Sequence, residues 1–226
     1  MKIIAHRSGP TVYPEQTIAS ARLALQNGAA MVEVDTRFTK DDVIVISHDA
    51  DPERVFGVSG DVGEMTAQEF LSLRHKEDPS YASHALLDYI NCGVAPLLLH
   101  VKVGGERLTE LLTLLKEHDY LHKVVLGVGL PEETALIKAW DPAVKVLAFM
   151  PKPELAEAHM AAGADYIRLW EQWVTEERVQ QVLQGGHKVW IMACDPVVGY
   201  TGPGSLKKWE AMGVDAVLLN DVTKLD

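Results

Sequence analysis

Three observations place this chain in the α/β class, as a barrel of eight βα units. Short apolar runs of strand length recur at residues 2–6, 31–36, 96–102, 123–128, 144–149, 165–169, 188–193 and 216–219. Stretches with helical spacing separate most of them. No Gly-x-Gly-x-x-Gly follows the first run, which disfavours the runner-up, an open doubly wound dinucleotide-binding sheet. Eight such units in 226 residues fit a compact (β/α)8 or TIM barrel, slightly below its usual size.

The elements follow in order. Lys2-Ile3-Ile4-Ala5 reads as a buried strand ending at His6-Arg7, and Ser8-Gly9-Pro10 breaks the pattern. Pro14-Glu15-Gln16-Thr17 opens a helix, since proline suits a first turn and glutamate complements the helix dipole. Apolar Ile18, Ala21 and Leu25 line that helix, and Asn27-Gly28 stops it. The strand at 31–36 then leads to a turn at Lys40-Asp41-Asp42 and returns through Val43-Ile44-Val45-Ile46 to His48-Asp49, an inserted hairpin arm beyond the eight strands. Residues 51–83 are irregular and glycine-rich, with a helix over 67–73; this is an insertion over a site. A helix around 86–90 precedes the apolar third strand. Helices at 106–118, 131–140, 153–162, 175–184 and 205–212 alternate with the remaining strands, with no linker or composition shift, so residues 1–226 read as one domain.

Composition narrows the partners. Apolar content of 47% and charged content of 23% are ordinary for a globular protein. A net charge of -11 supplies no basic stripe for nucleic acid or an anionic membrane surface. Cys92 and Cys194 lie far apart without metal-ligand spacing. No run reaches the ~20 apolar residues of a membrane span, and the first residues carry no signal-peptide pattern. These features predict a reduced, cytoplasmic protein, and they leave the oligomeric state open.

The chemistry gathers at strand ends, where a barrel builds its site. Glu33 and Asp35 are two apart on one strand, so they project from the same face. The blander alternative makes them the solvent face of an edge strand, with His48-Asp49 an ordinary turn. His6 and Arg7 end the first strand, His100 and Lys102 the third, and Asp195 and Asp221 follow the seventh and eighth. Trp170 and Trp190 are candidates for pocket walls, with core packing as the alternative. His75, His84 and His118 read as surface residues, and Glu15 as a helix-capping or supporting group.

His6-Arg7-Ser8, Pro14-Glu15-Gln16-Thr17, Glu33-x-Asp35, Thr39-Lys40-Asp41 and His48-Asp49 resemble the His-Arg-Gly, Pro-Glu-Asn-Thr, Glu-x-Asp, Thr-Lys-Asp-Gly and His-Asp blocks of the glycerophosphodiester phosphodiesterase family, in order and at similar spacing. The strand at 96–102 resembles the family's Glu-x-Lys strand, and Gly213-Val214-Asp215 to Asn220-Asp221 its closing Gly-Val-Asp and Thr-Asp. The resemblance implies hydrolysis of a glycerophosphodiester to glycerol 3-phosphate and an alcohol. It also implies a divalent cation, Mg²⁺ or Ca²⁺, on Glu33, Asp35 and the residue at position 100. His6 and His48 would be the general acid/base pair, and Arg7 and Lys102 would hold the phosphate.

The departure that matters is His100, where the family has its third carboxylate. Imidazole is a poor ligand for Mg²⁺ or Ca²⁺ and a good one for Mn²⁺ or Zn²⁺. Ser8 replaces a glycine, Gln16 an asparagine and Asp42 the hairpin glycine. Three readings stay open: the phosphodiesterase above, a relative acting on a lysophospholipid-like phosphodiester, and a non-catalytic barrel that binds a phosphate ligand.

Overall fold

The computed structural model describes residues 1–193 and 203–223. Eight parallel strands close a ring: β1 (Lys2–Ala5), β2 (Met31–Phe38), β4 (Leu97–Val101), β5 (Val124–Val128), β6 (Lys145–Ala148), β7 (Tyr166–Trp170), β8 (Lys188–Met192) and β9 (Ala216–Leu219). The β1–β2 pairing, Ile4 opposite Met31, completes it. The short β3 (Ile44–Ile46) pairs antiparallel with β2 outside the ring and is the expected hairpin arm. Asp195 and Cys194 lie outside the described residues.

The strands are buried on both faces, and their alternation sorts the side chains into two sets. Ala5, Val34, Leu99, Leu126, Ile167, Ile191 and Val217 point outward and pack against the helices in the main core. Ile4, Leu98, Val125, Leu147, Trp190 and Leu218 point inward and fill the barrel. Outward residues meet α1 (Ile18–Gln26), α4 (Leu86–Asn91), α5 (Leu108–Glu117), α6 (Pro131–Trp140), α7 (Ala156–Ala161), α8 (Glu176–Gln184) and α9 (Pro203–Ala211). In α5, Leu108, Leu111, Leu112 and Leu115 are buried, the one-sided stripe of an amphipathic helix.

Several boundaries differ from expectation for local reasons. The first helix starts at Ile18 because Thr17 is its N-cap, its side chain accepting from the Ser20 N–H. Pro14–Gln16 therefore precede the helix, and Gln16 is left-handed at φ 61°. The insertion carries the short α2 (Glu53–Phe56) and α3 (Ala67–Leu71), the latter opened by a Thr66–Glu69 capping box. The predicted helices at 106–118 and 153–162 begin as 3-10 turns at Gly105–Arg107 and Pro153–Leu155.

Leu99 is fully buried between barrel and helices. Leu99→Ala should cost about 2–5 kcal/mol of stability; a urea midpoint within error of wild type would contradict this packing.

Candidate active site

The inward rows change character towards the C-terminal ends of the strands. Ile4 is followed on its row by His6, Met31 by Glu33 and Asp35, Leu98 by His100 and Lys102, and Leu218 by Asn220. An apolar layer therefore floors a polar one. The polar layer holds the predicted acids with His6, His100 and Lys102, while Arg7 comes from the turn after β1 and His48 from the segment after β3.

Glu33 and Asp35 are fully buried, and Asp35 lies directly opposite His100 in the β2–β4 register. His100 Nδ1 is 2.9 Å from Asp35 Oδ1 and 3.8 Å from Glu33 Oε1, and Lys102 Nζ is 3.0 Å from the same Asp35 oxygen. Gln16 holds the other side of Asp35: Nε2 donates to Oδ2 at 2.5 Å, and the Asp35 N–H donates to Oε1 at 3.4 Å. The left-handed backbone at Gln16 makes this two-point clamp. Glu33 Oε2 accepts from the Arg7 N–H at 2.7 Å, presented by a turn in which Arg7 (φ 47°) and Ser8 (φ 67°) are also left-handed. Ser8 thus occupies a conformation that a glycine adopts freely.

Burial opposes ionisation of both acids. For Asp35 the His100 hydrogen bond and the Lys102 charge prevail, and its carboxyl is held well below the usual range. For Glu33, burial and the adjacent Asp35 charge together push the carboxyl well above it. Glu33, Asp35 and His100 offer ligand atoms within 4.8 Å of one another. Glu33 Oε1 is buried with no hydrogen-bond partner, as expected of an oxygen reserved for a cation. The donor set fits a divalent ion; its imidazole favours a transition ion over Mg²⁺ or Ca²⁺.

Both histidines are anchored through Nδ1. His6 Nδ1 lies 2.7 Å from Asn220 Oδ1, and His48 Nδ1 lies 2.7 Å from Asp49 Oδ1. The loop carrying His48 is tied down by Arg37, which donates twice to the His48 carbonyl. Burial lowers the His6 pKa to about 4, against the opposing Asn220 bond. His48 is lowered by burial too, with Asp35 and Asp49 opposing. Arg7 does not stand alone: its Nη1 donates to Glu15 Oε2 at 3.3 Å. Glu15 precedes the helix, so it is an ion-pair partner and not a cap. Glu15 also walls a cavity of about 540 Å³ with Tyr13, Arg54, His75 and Lys76, beside the Arg7 turn.

Two predicted roles fall elsewhere. Trp190 is 2% exposed, and its Nε1 donates to Asp215 Oδ2 at 3.0 Å, below β9. It packs against Tyr166 in the apolar floor of the barrel. His75 is buried against Phe56 and is not a surface residue; His84 is half-buried, 3.8 Å from Asp88, and His118 is exposed. Trp170 does stand at the rim, half-buried, with the Arg168 guanidinium 4.4 Å from its ring. Arg168 was missed in the sequence. It is buried on an inward row, 4.6 Å from the Phe149 ring, which in turn stacks on His100 at 3.7 Å. A charge at an inward position of an apolar strand was the available signal.

A barrel whose lumen ends in buried acids, anchored imidazoles and cations defines the class: an α/β barrel with a polar centre at the rim where barrel enzymes work. The model of the Glycerophosphoryl diester phosphodiesterase family matches residues 6–149, and the chain belongs to that family. Human glycerophosphodiester phosphodiesterase 1 is 27% identical over 241 residues, covering 95% of this chain and 70% of that protein. The bovine counterpart is 40% identical over 70 residues, 31% of this chain. Those matched stretches span only 21% of the bovine protein's length and 30% of a Bacillus subtilis relative's. An Oleispira antarctica phosphodiesterase, solved in complex with sn-glycerol-3-phosphate, superposes with a TM-score of 0.83 at 22% identity, covering 100% of this chain and 95% of its own. Among the described residues, no helix is long and apolar enough to cross a membrane.

The lowered pKa of His6 generates a pH dependence of stability. An unfolded His6 takes its proton near pH 6.5, and the folded one only near 4, so stability falls as pH drops through that window. Glu33, pushed upward, works in the opposite direction, so the comparison must be with a variant. The loss of urea midpoint between pH 7.5 and pH 5, measured without added metal, should be smaller in His6→Gln than in wild type. An equal loss in both would refute the shift at His6.

Proposed function

We propose that this chain, as one domain, hydrolyses a glycerophosphodiester to glycerol 3-phosphate and an alcohol. The observation that carries the reading is the pair of histidines, each tethered by Nδ1 so that Nε2 is the atom left for substrate. Arg7 and Lys102 supply positive charge for the phosphate in a protein of net charge -11. Glu33, Asp35 and His100 would hold the divalent ion, which when bound supplies charge neutralisation at the phosphoryl oxygens. A small phosphodiester is the partner, and the setting is cytoplasmic.

The environments of the histidines support a division of labour. His6 is neutral at pH 7, with its Nδ1 proton committed to Asn220, so Nε2 takes the proton of the attacking hydroxyl. The carboxylate on His48 opposes the lowering of its pKa by burial and stabilises the imidazolium when it forms, so His48 is the group that passes a proton to the leaving alkoxide. The attacking group is water or a hydroxyl of the glycerol itself. In the second case a cyclic phosphate forms, and water opens it with the roles of the pair reversed.

A second reading has its own support. The large exposed apolar residues Val12, Val58, Val103 and Leu130 all sit in segments that follow strand ends on the site's side of the barrel. They favour an alcohol with an acyl chain, as in a lysophospholipid.

With a divalent ion present, purified protein should release glycerol 3-phosphate from glycerophosphocholine, and EDTA should stop the release. His6→Ala and His48→Ala should each lower kcat by about 10²–10⁴-fold with the fold retained; turnover persisting in both would remove the pair from the mechanism. Titration calorimetry should find Mn²⁺ or Zn²⁺ bound more tightly than Mg²⁺, with His100→Glu narrowing or reversing the preference. Unaltered affinities in that variant would place His100 outside the ligand set.

A further inference from the structure

Arg54 has no part in the reading above, yet it sits between its two halves. It lies on α2, a four-residue helix outside the barrel, with 47% of its side chain exposed. Its Nε donates to Asp49 Oδ2 at 2.6 Å. Its Nη2 and Nη1 donate to Glu15 Oε1 and Oε2 at 2.6 and 3.1 Å, a two-pronged contact that suits a planar guanidinium. The other oxygen of Asp49 is on His48 Nδ1, and Glu15 Oε2 also accepts from Arg7 Nη1. His48, Asp49, Arg54, Glu15 and Arg7 therefore form one chain of contacts. It runs from the group assigned to proton transfer to the group assigned to phosphate.

We propose that Arg54 is a positioning residue that fixes His48 and Arg7 relative to each other by clamping Asp49 and Glu15. The proposal rests on the roles given to His48 and Arg7 above. Its geometry is specific: one guanidinium spans two carboxylates that belong to different loops, the β1–α1 turn and the segment after β3. Without it, Asp49 keeps His48 but loses its own anchor, and Glu15 keeps only Arg7. Lysine delivers one point charge and cannot bridge both acids in the same plane. A half-exposed ion pair contributes little to stability, so a purely structural Arg54 would be nearly silent. A positioning Arg54 changes turnover far more than folding, because small displacements of reacting groups are costly.

The test compares wild type, Arg54→Met and Arg54→Lys by two measurements. Steady-state kinetics on glycerophosphocholine with a divalent ion should show kcat falling about 10- to 100-fold in Arg54→Met, with KM raised through Arg7. Arg54→Lys should recover only a small part, and thermal midpoints should stay close to wild type. The ¹⁵N imidazole spectrum, with His48 assigned through His48→Asn, needs no activity. Wild type should show one Nδ1–H tautomer at His48, and Arg54→Met a mixture. Unchanged kcat and KM in an active protein, or an unchanged His48 spectrum, overturns the proposal. Full recovery in Arg54→Lys overturns it as well, because charge alone would then suffice. An inactive wild-type protein would instead refute the phosphodiesterase reading, while the spectrum still decides whether Arg54 orders His48.

Discussion

Two carboxylates that cannot reach water govern this structure. Glu33 and Asp35 sit on one face of β2, inside the barrel and fully buried. Burying one ionised carboxylate is costly and burying two side by side is more so. The protein responds with a polar shell: the His100 and Lys102 nitrogens lie 2.9 and 3.0 Å from one oxygen of Asp35, Gln16 donates to the other, and the Arg7 N–H donates to Glu33. The left-handed conformations of Arg7, Ser8 and Gln16 become intelligible on this view. Each costs backbone energy in a non-glycine residue, and together they aim donors at the acids. One oxygen of Glu33 still lacks a partner, so the shell is incomplete in a way that a cation would complete.

The architecture was legible because strand alternation is a strict rule. Once the eight apolar runs form a barrel, every second residue must face the lumen, and His6, Glu33, Asp35, His100 and Lys102 all share that parity. Sequence spacing therefore gave both the fold and the inner face of the site. Trp190 shows the limit of the same rule. Its inward parity was correct, but its indole drops towards Asp215 in the apolar floor. Parity fixes the face a residue shows and leaves its height in the barrel undecided.

The supporting residues were illegible for a different reason. Asn220, Gln16 and Arg54 act through contacts with partners 214, 19 and 39 residues away along the chain. No local period connects such positions. Glu15 looked like a helix-capping residue because Pro14-Glu15 fits a first turn, but Thr17 took the cap and left Glu15 free to meet Arg7 and Arg54. Of the two readings open for Glu15, the supporting one matches these contacts, and the helix start was decided by a Thr17 hydroxyl that accepts from the Ser20 N–H.

His100 draws these strands together. An imidazole in place of a carboxylate removes a negative charge from a lumen that already carries Asp35, and it adds a flat ring that needs a surface. Phe149 supplies that surface, stacked 3.7 Å away. Gly127 makes room for it, since a Cβ there would lie 3.0 Å from the Phe149 ring and 3.6 Å from the His100 Cα. Arg168 lies on the far side of Phe149, and its charge joins burial in keeping the imidazole unprotonated, with the pKa at about 4. A neutral imidazole is the form that can ligate. The ring is therefore built into the barrel by β5, β6 and β7 together, as a residue with a settled place. The position is held by packing on three neighbouring strands and by the Asp35 contact across the β2–β4 register.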